Sequence, residues 1–580
     1  MAIAQTSTHA STHLPRNPAT IAWFCLLVLG VAVYAAGLGG QYIPTNGDEL
    51  VYAHIARMTA ATGHWLPLAS DLDNMRNTKP PLLFWQALVA GDWGRHWTMA
   101  ALRAPSLVYT LMTTALLAWT VQRISGRLDA AFMAACIYLA FFCTFRFGRP
   151  FLTSAPETFW LNAPLWVLLL TKTTKPMANE RAIPSWLTHA GFGMALGLGL
   201  AYKSFALIAP AAATLWCALL LETPKQVPSV LGMSLRVGFS AAIALGLFGL
   251  WFVLDPDPAS VWREFVVGEN AGKMSNPQGY WHVALAGGGV SIWAQLLGYA
   301  QNAGLLAFAV VGLMVLGLRH WRLAFHARPT TKFLMVWLAV WLLVFTIPSQ
   351  RSARYLIPAM PALAMLLALY GHRVARAWFI PSLLLGGLLA LGLARITWAT
   401  HVLGIASTAE VTMTMTVAGL TVGLSVAGLA RANWSRACAV SACLALYACF
   451  GLCTAPLNGP EGRYPASLAG QLKGAQIAVP NNFNGEFERF EFLLPGNRFR
   501  PYPSSRPPNL QDLLAHHDAV AWLQDGSLQS QPNCLPQCKV LGSRWEVKGR
   551  HKSGEITLAN FAYPEQWLFR REWLIRSNTP

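Results

Sequence analysis

Residues 21–57 read IAWFCLLVLGVAVYAAGLGGQYIPTNGDELVYAHIAR. Twenty uncharged, mostly apolar residues come first, enough for a helix to cross the hydrocarbon core of a bilayer. A short polar step follows, and then the acid pair Asp48-Glu49. No small-x-small cleavage site stands cleanly after the apolar run, so it reads as a retained anchor and not as a removed signal segment. The stretch LVYAHIARMTAATG has the pattern of a helix lying along the membrane interface. Carboxylates this close to a span are costly unless hydrated, paired or functional; the plain alternative is a solvated loop pair.

Outward from that stretch, apolar runs recur at 20–40, 99–122, 126–146, 156–172, 186–202, 204–221, 230–254, 290–318, 332–348, 353–371, 377–399, 408–430 and 435–455. The reading is a polytopic α-helical membrane protein with about 13 spans. Composition agrees: 54% hydrophobic, 12% charged and 24 Trp, against about a quarter charged in a soluble domain. Short loops rich in Lys and Arg mark the cytoplasmic side. With the N-terminus inside, those loops hold Arg123 and Arg127; Lys172, Lys175 and Arg181; Lys225; Arg319, Arg322, Arg328 and Lys332; Arg373 and Arg376; and Arg431 and Arg436. An odd number of spans then puts 456–580 outside, on the periplasmic or lumenal face, with the large loops 41–98 and 255–289.

The domain expectation is a membrane domain, 1–455, followed by an external α/β domain, 456–580, in which AQIAVP, DAVAWL and EITLAN are separated by Pro, Asn and Gly turns. That tail caps the membrane cavity or grips an acceptor. The net charge of +18 is spread over both faces without a nucleic-acid motif, so it points to anionic lipid and not to DNA or RNA. Most of the ten Cys lie in apolar spans as small buried hydrophobes, whereas Cys534 and Cys538 are either a disulfide or two free thiols. No Cys/His set has zinc spacing.

Chemistry is expected where polar groups gather on the outer face. Asp48 and Glu49 come first, then Lys79 before Pro80-Pro81, then Arg149 and Glu157 around RFGRPFLTSAPETF. LAYKSFALIAP supplies Lys203; REFVVGENAGKMSNPQGYWH supplies Glu264, Glu269, Asn270, Lys273 and His282; SQRSARYLIPAMPALAML supplies Arg351, Arg354 and Tyr355. Each alone could be a snorkelling side chain. Snorkelling would scatter them over both faces, so their placement on one face points to a single anion-binding catalytic cavity.

At these residues a resemblance becomes specific. The DE pair, KPPL, the acid in APE, YKS, GENxxxK and RYLIPAMPALA, in this order over roughly residues 20–455, resemble the protein O-mannosyltransferase superfamily of GT-C glycosyltransferases, and within it the bacterial aminoarabinose lipid A transferases of the ArnT type. The resemblance implies a pentosyltransferase that moves 4-amino-4-deoxy-L-arabinose from undecaprenyl phosphate to a lipid A phosphate at the periplasmic face of the inner membrane, favouring polymyxin resistance. Asp48 matches the family's catalytic acid and Glu49 its neighbour, with Glu157 a further acid; Lys79, Tyr355 and Lys273 match carrier-phosphate positions, and Lys203, Arg351 and Arg354 add cations. Two departures stand out. Thr78 occupies a position often acidic in the family, which weakens a shared metal site, and Lys273 stands near a family Arg. No cofactor is required on this reading. A divalent cation bridging carboxylate and phosphate is the one option, with His54, His64 and His282 the nearest imidazoles and no ligand assigned. The expected partners are the lipid-linked donor, the lipid A acceptor and membrane lipid, with the chain a monomer. Alternatives are a sister GT-C transferase using another sugar or acceptor, and a polyprenyl-linked sugar transporter, although internal repeats and midplane polar sites are not evident.

Overall fold

The computed structural model describes residues 17–171, 185–221, 226–273, 279–319, 328–524, 532, 534, 537–549, 554 and 557–578. Of the loop cations used for orientation, Lys172, Lys175, Arg181, Lys225 and Arg322 lie outside the described residues.

Helix α1 (Pro18–Ala35) starts with Pro18 in its first turn and the Asn17 side chain accepting the Ala19 N–H. Two helices of the first large loop follow, α2 (Asp48–Thr62) and α3 (Leu82–Ala90). α2 is the helix expected along the interface. Next is α4 (Met99–Ser125), capped by the Thr98 hydroxyl and ended by Gly126 in the left-handed region. The run 126–146 forms two helices, α5 (Leu128–Ala140) and α6 (Phe142–Phe147), because Phe141 is extended between them. Then come α7 (Ser154–Thr171), α8 (Ser185–Tyr202), α9 (Ile208–Leu220) and α10 (Val227–Leu254).

Every apolar run named from the sequence coincides with helix, and eight described helical runs are long and apolar enough to cross a membrane. The run 290–318 is broken into short pieces at Gly304, whose φ is +63° and whose added Cβ would meet the Phe142 side chain at 2.5 Å. Large apolar side chains face outward along these helices, among them Leu29, Leu235, Val253 and Leu388, at 63–79% exposure. Water would penalise such a surface and hydrocarbon does not. The chain is a multi-pass membrane protein.

The C-terminal part is an α/β domain with one mixed sheet. Its strands are β1 (Gln476–Asn481), β2 (Arg498–Pro503), β3 (Ala519–Gln524), β4 (Cys538–Val547) and β5 (Phe569–Ser577), in the order β2-β1-β3-β5-β4. β1 runs parallel to β2 and β3, while β5 is antiparallel to β3 and β4. AQIAVP and DAVAWL supply β1 and β3. EITLAN is no strand where described: Glu555 and Ile556 lie outside the described residues, and Leu558–Phe561 is a helical turn. Cys534 and Cys538 form a disulfide.

This domain is fastened to the first large loop. Arg57 donates to Glu488 at 2.6 and 2.9 Å, and the His54 ring meets the same carboxylate at 2.9 Å. Nearer the start of α2 the backbones nearly touch. A Cβ at Gly47 would meet the Phe483 ring at 2.9 Å, and one at Gly485, where φ is +80°, would meet Val51 at 3.0 Å. Gly485, at positive φ and against the Val51 backbone, therefore requires glycine for the domain to sit this close, whereas a side chain at Gly47 would displace the Phe483 ring.

Candidate active site

Asp48 and Glu49 open α2, and consecutive residues on a helix point about 100° apart. Their surroundings diverge accordingly. Glu49 is 1% exposed and forms a two-bond pair with Arg103 of α4, Nε at 2.7 Å and Nη2 at 2.9 Å, while also accepting the Phe151 N–H at 2.8 Å. Arg103 spends its remaining donor on the Leu38 and Gly40 carbonyls. This buried knot ties α2, α4 and the turn before α7 together.

Asp48 faces the other way and is half-exposed. Its Oδ2 accepts the Asn46 amide at 2.7 Å and both terminal nitrogens of Arg354 at 3.2 Å. Tyr52 lies one turn along on the same face and is buried. Burial pushes the Tyr52 hydroxyl well up; Asp48 adds to this, Arg354 opposes it, and Glu269 and Glu157 add further. One phenol thus senses charges from four separate segments.

The two lysines reach the same locus. Lys79 pairs with Glu269 at 2.6 Å and stands 5.8 Å from the centre of the Tyr52 ring. Lys203 pairs with Glu157 at 2.7 Å and stands 5.8 Å from the centre of the Tyr355 ring, which stacks on Phe345 at 5.0 Å. Glu269 and Asn270 come from a π-type turn, Trp262–Asn270, and the Ser204 hydroxyl donates to Asn270 at 2.6 Å. Such wide turns are frequent at functional sites. Five segments distant in the chain therefore bring together Asp48, Lys79, Glu157, Lys203, Arg354 and Tyr355.

Other residues named from the sequence lie elsewhere. Arg351 is buried, donating to the Thr346 and Val290 carbonyls with its guanidinium over Tyr280. Arg149 donates to the Tyr34 and Ala36 carbonyls. Glu264 accepts from Ser260 and from the Asn77 N–H. Lys273 ends a short helical turn, and its side chain lies outside the described residues.

Two cluster members escaped the sequence reading. Tyr52 carries an i, i+4 signal from Asp48 that helix geometry makes readable. Arg146, whose guanidinium lies 5.2 Å from the Phe147 ring centre while that of Arg354 lies 5.0 Å from it, carries no signal that separates it from Arg149. Among the described residues no group of three or more His, Cys, Asp or Glu is placed to hold a metal ion.

Beyond Asp48 a cleft of about 600 Å³ separates the start of α2 from the α/β domain. Asp48, Gly47 and Val51 line one side; Asn482, Phe483 and Asn484 lie on the other. Its deeper charges are already satisfied. Burial opposes ionisation of Glu546, yet Arg489, Arg570 and Arg544 hold its carboxyl down at about 2.

The chain is thus an α-helical membrane core whose carboxylates and cations gather beside one loop helix, joined to a C-terminal α/β domain. The crystal structure of ArnT from Cupriavidus metallidurans bound to undecaprenyl phosphate superposes with a TM-score of 0.57 at 14% identity, over 95% of this chain and 98% of that one. Its apo form gives 0.55 at 16% identity, over 83% and 86%. The chain has the ArnT fold.

In sequence it is similar to the undecaprenyl phosphate-alpha-4-amino-4-deoxy-L-arabinose arabinosyl transferase 1 of Sodalis glossinidius, 30% identical over 369 residues, 61% of this chain. That match spans 59% of the relative, less than two thirds of its length. The corresponding transferase 2 of Proteus mirabilis is 25% identical over 75% of this chain and 72% of its own. No protein-family model matches.

Proposed function

We propose that the chain transfers 4-amino-4-deoxy-L-arabinose from undecaprenyl phosphate to a phosphate of lipid A at the periplasmic face of the bacterial inner membrane, and so favours polymyxin resistance. The observation that carries this reading is the convergence of Asp48, Lys79, Lys203, Arg354 and Tyr355 on one locus in the ArnT fold. Similarity to named arabinosyl transferases supports the choice of sugar.

The chemistry follows from where charge develops. The bond between the anomeric carbon and the carrier phosphate breaks, and its electron pair leaves with the phosphate oxygen. An oxygen of the acceptor phosphate forms the new bond to that carbon. Lys79 and Lys203, positioned by Glu269 and Glu157, stabilise the departing phosphate with Tyr355 beside them. An acceptor phosphate is already ionised near neutral pH and needs no strong base. Asp48, fixed by Asn46 and Arg354 through Oδ2, therefore orients the acceptor and faces the electron-poor sugar. Glu49 acts through Arg103 as a positioning residue.

The test is mass spectrometry of lipid A from a transferase-null, polymyxin-sensitive host carrying this chain or its Asp48→Asn variant. An aminoarabinose increment with the native chain that vanishes with folded Asp48→Asn supports the proposal. Unmodified lipid A in both, with donor present, overturns it and points to a sister transferase.

A further inference from the structure

We infer that the cleft between the start of α2 and the α/β domain is the subsite for the acceptor's sugar headgroup, and that Asn482 and Phe483, in the sequence NNFN (481–484), are its specificity determinants. This rests on the proposed function, because it assumes that sugar transfer occurs at Asp48.

Three observations carry it. The first is position. Asp48 lines the cleft, whereas Lys79, Lys203 and Tyr355 are not among its lining residues, so this one carboxylate is shared between the cleft and the cluster that Arg354 joins. In an in-line displacement at the anomeric carbon, the acceptor oxygen approaches opposite the departing phosphate. The cleft is the side left for the acceptor.

The second is chemistry. Arg489 and Arg570 line the cleft but are committed to Glu546, and Glu486 accepts the Asn482 N–H at 2.6 Å. The Asn482 side chain lines the cleft, and the Phe483 ring, packed on Gly47, forms part of the same wall. An amide that both donates and accepts, beside an aromatic surface, suits the hydroxyls and C–H faces of a sugar.

The third is size and rigidity. About 600 Å³ lies within the roughly 300–1,000 Å³ typical of small-molecule sites. The NNFN segment is held in place by the close approaches at Gly47 and Gly485, and the Asn481 side chain accepts the Phe487 N–H at 3.2 Å. The phosphate on such a headgroup would be left to Arg354, already bonded to Asp48.

The experiment uses the full chain in lipid nanodiscs and a soluble, acyl-free phosphorylated glucosamine disaccharide as the probe. Binding is read by calorimetry, and transfer by the separate KM values for donor and acceptor. Asn482→Ala and Phe483→Leu are expected to weaken the probe about tenfold, the loss of one hydrogen bond or ring contact, and to raise the acceptor KM alike while the donor KM stays. Asn482→Asp, nearly isosteric and so expected to fold, adds a negative charge beside Glu486 and should weaken the phosphorylated probe further. Lys79→Met should leave probe binding intact. Probe binding untouched by the folded loop variants, or a donor KM that rises with the acceptor KM, overturns the inference. A native chain that binds the probe at this loop but makes no aminoarabinose product overturns the proposed function and leaves the headgroup subsite standing.

Discussion

The Asp48 carboxylate and the Arg354 guanidinium, 306 residues apart in the chain, are bonded to each other through both terminal nitrogens of the arginine. Helix α2 and the turn before a late membrane helix thus share one electrostatic centre. Glu49, the immediate neighbour of Asp48, is bound to Arg103 and has no part in that centre.

That division separates chemistry from stability. Asp48→Asn, isosteric and half-exposed, should melt at the native temperature and lose transfer by about a hundredfold or more. Thermal melting together with lipid A mass spectrometry checks it, and a folded variant with native turnover would exclude Asp48 from the reaction.

Glu49→Gln should do the opposite. Removing one partner of a buried pair typically costs about 3–5 kcal/mol, because the remaining charge is left without compensation. The variant should melt well below the native chain, and the double change Glu49→Gln with Arg103→Met should cost less than the sum of the two single changes. A double-mutant cycle on melting temperature reads this directly.

Lys79 and Lys203 should behave as donors to a developing charge. Lys79→Met and Lys203→Met are each expected to lower kcat/KM for the lipid-linked donor by about a hundredfold, the usual effect of losing one such donor. Steady-state kinetics with varied donor measures it.

The seam with the α/β domain should respond to pH through Glu491. Burial raises its carboxyl from the ordinary 4.5 to about 7, against the pull of Arg57, with Glu488 raising it and His54 lowering it. A raised folded value favours the protonated, folded chain, so this group's contribution is full below about 4.5 and lost as pH rises through about 7. Melting of the full chain between about pH 5 and pH 8 should show the native protein losing stability relative to Glu491→Gln as pH rises.

Much of this was legible in the sequence. The apolar runs gave the helices, since in lipid a helix needs only length and apolarity. The rule that charges near hydrocarbon are rarely idle named Asp48, Lys79, Glu157, Lys203, Arg354 and Tyr355, but it named Arg149, Glu264 and Arg351 equally, and those bond to other partners. What was lost depended on partners that are distant in the chain. Arg146 and Arg149 are both plausible cations at the end of one apolar run, and only packing sends Arg149 to the backbone of α1. β4 and β5 contain Arg544, Glu546 and Glu572, which alternation treats as exposed but which are buried against one another. The NNFN loop carries no periodicity, and its meaning comes from Gly47 across the seam.

That seam also sets an order of assembly. The segments that hold Asp48, Lys79 and Lys203 are made early in translation, but the wall facing Asp48 across the cleft comes from Asn482 and Phe483, made after the membrane helices. A growing chain passes through a stage with its membrane helices and carboxylates in place and one side of the cleft still unmade. A break ahead of Asn481 would freeze it at that stage, inserted in the bilayer but with the Asp48 cleft open to solvent.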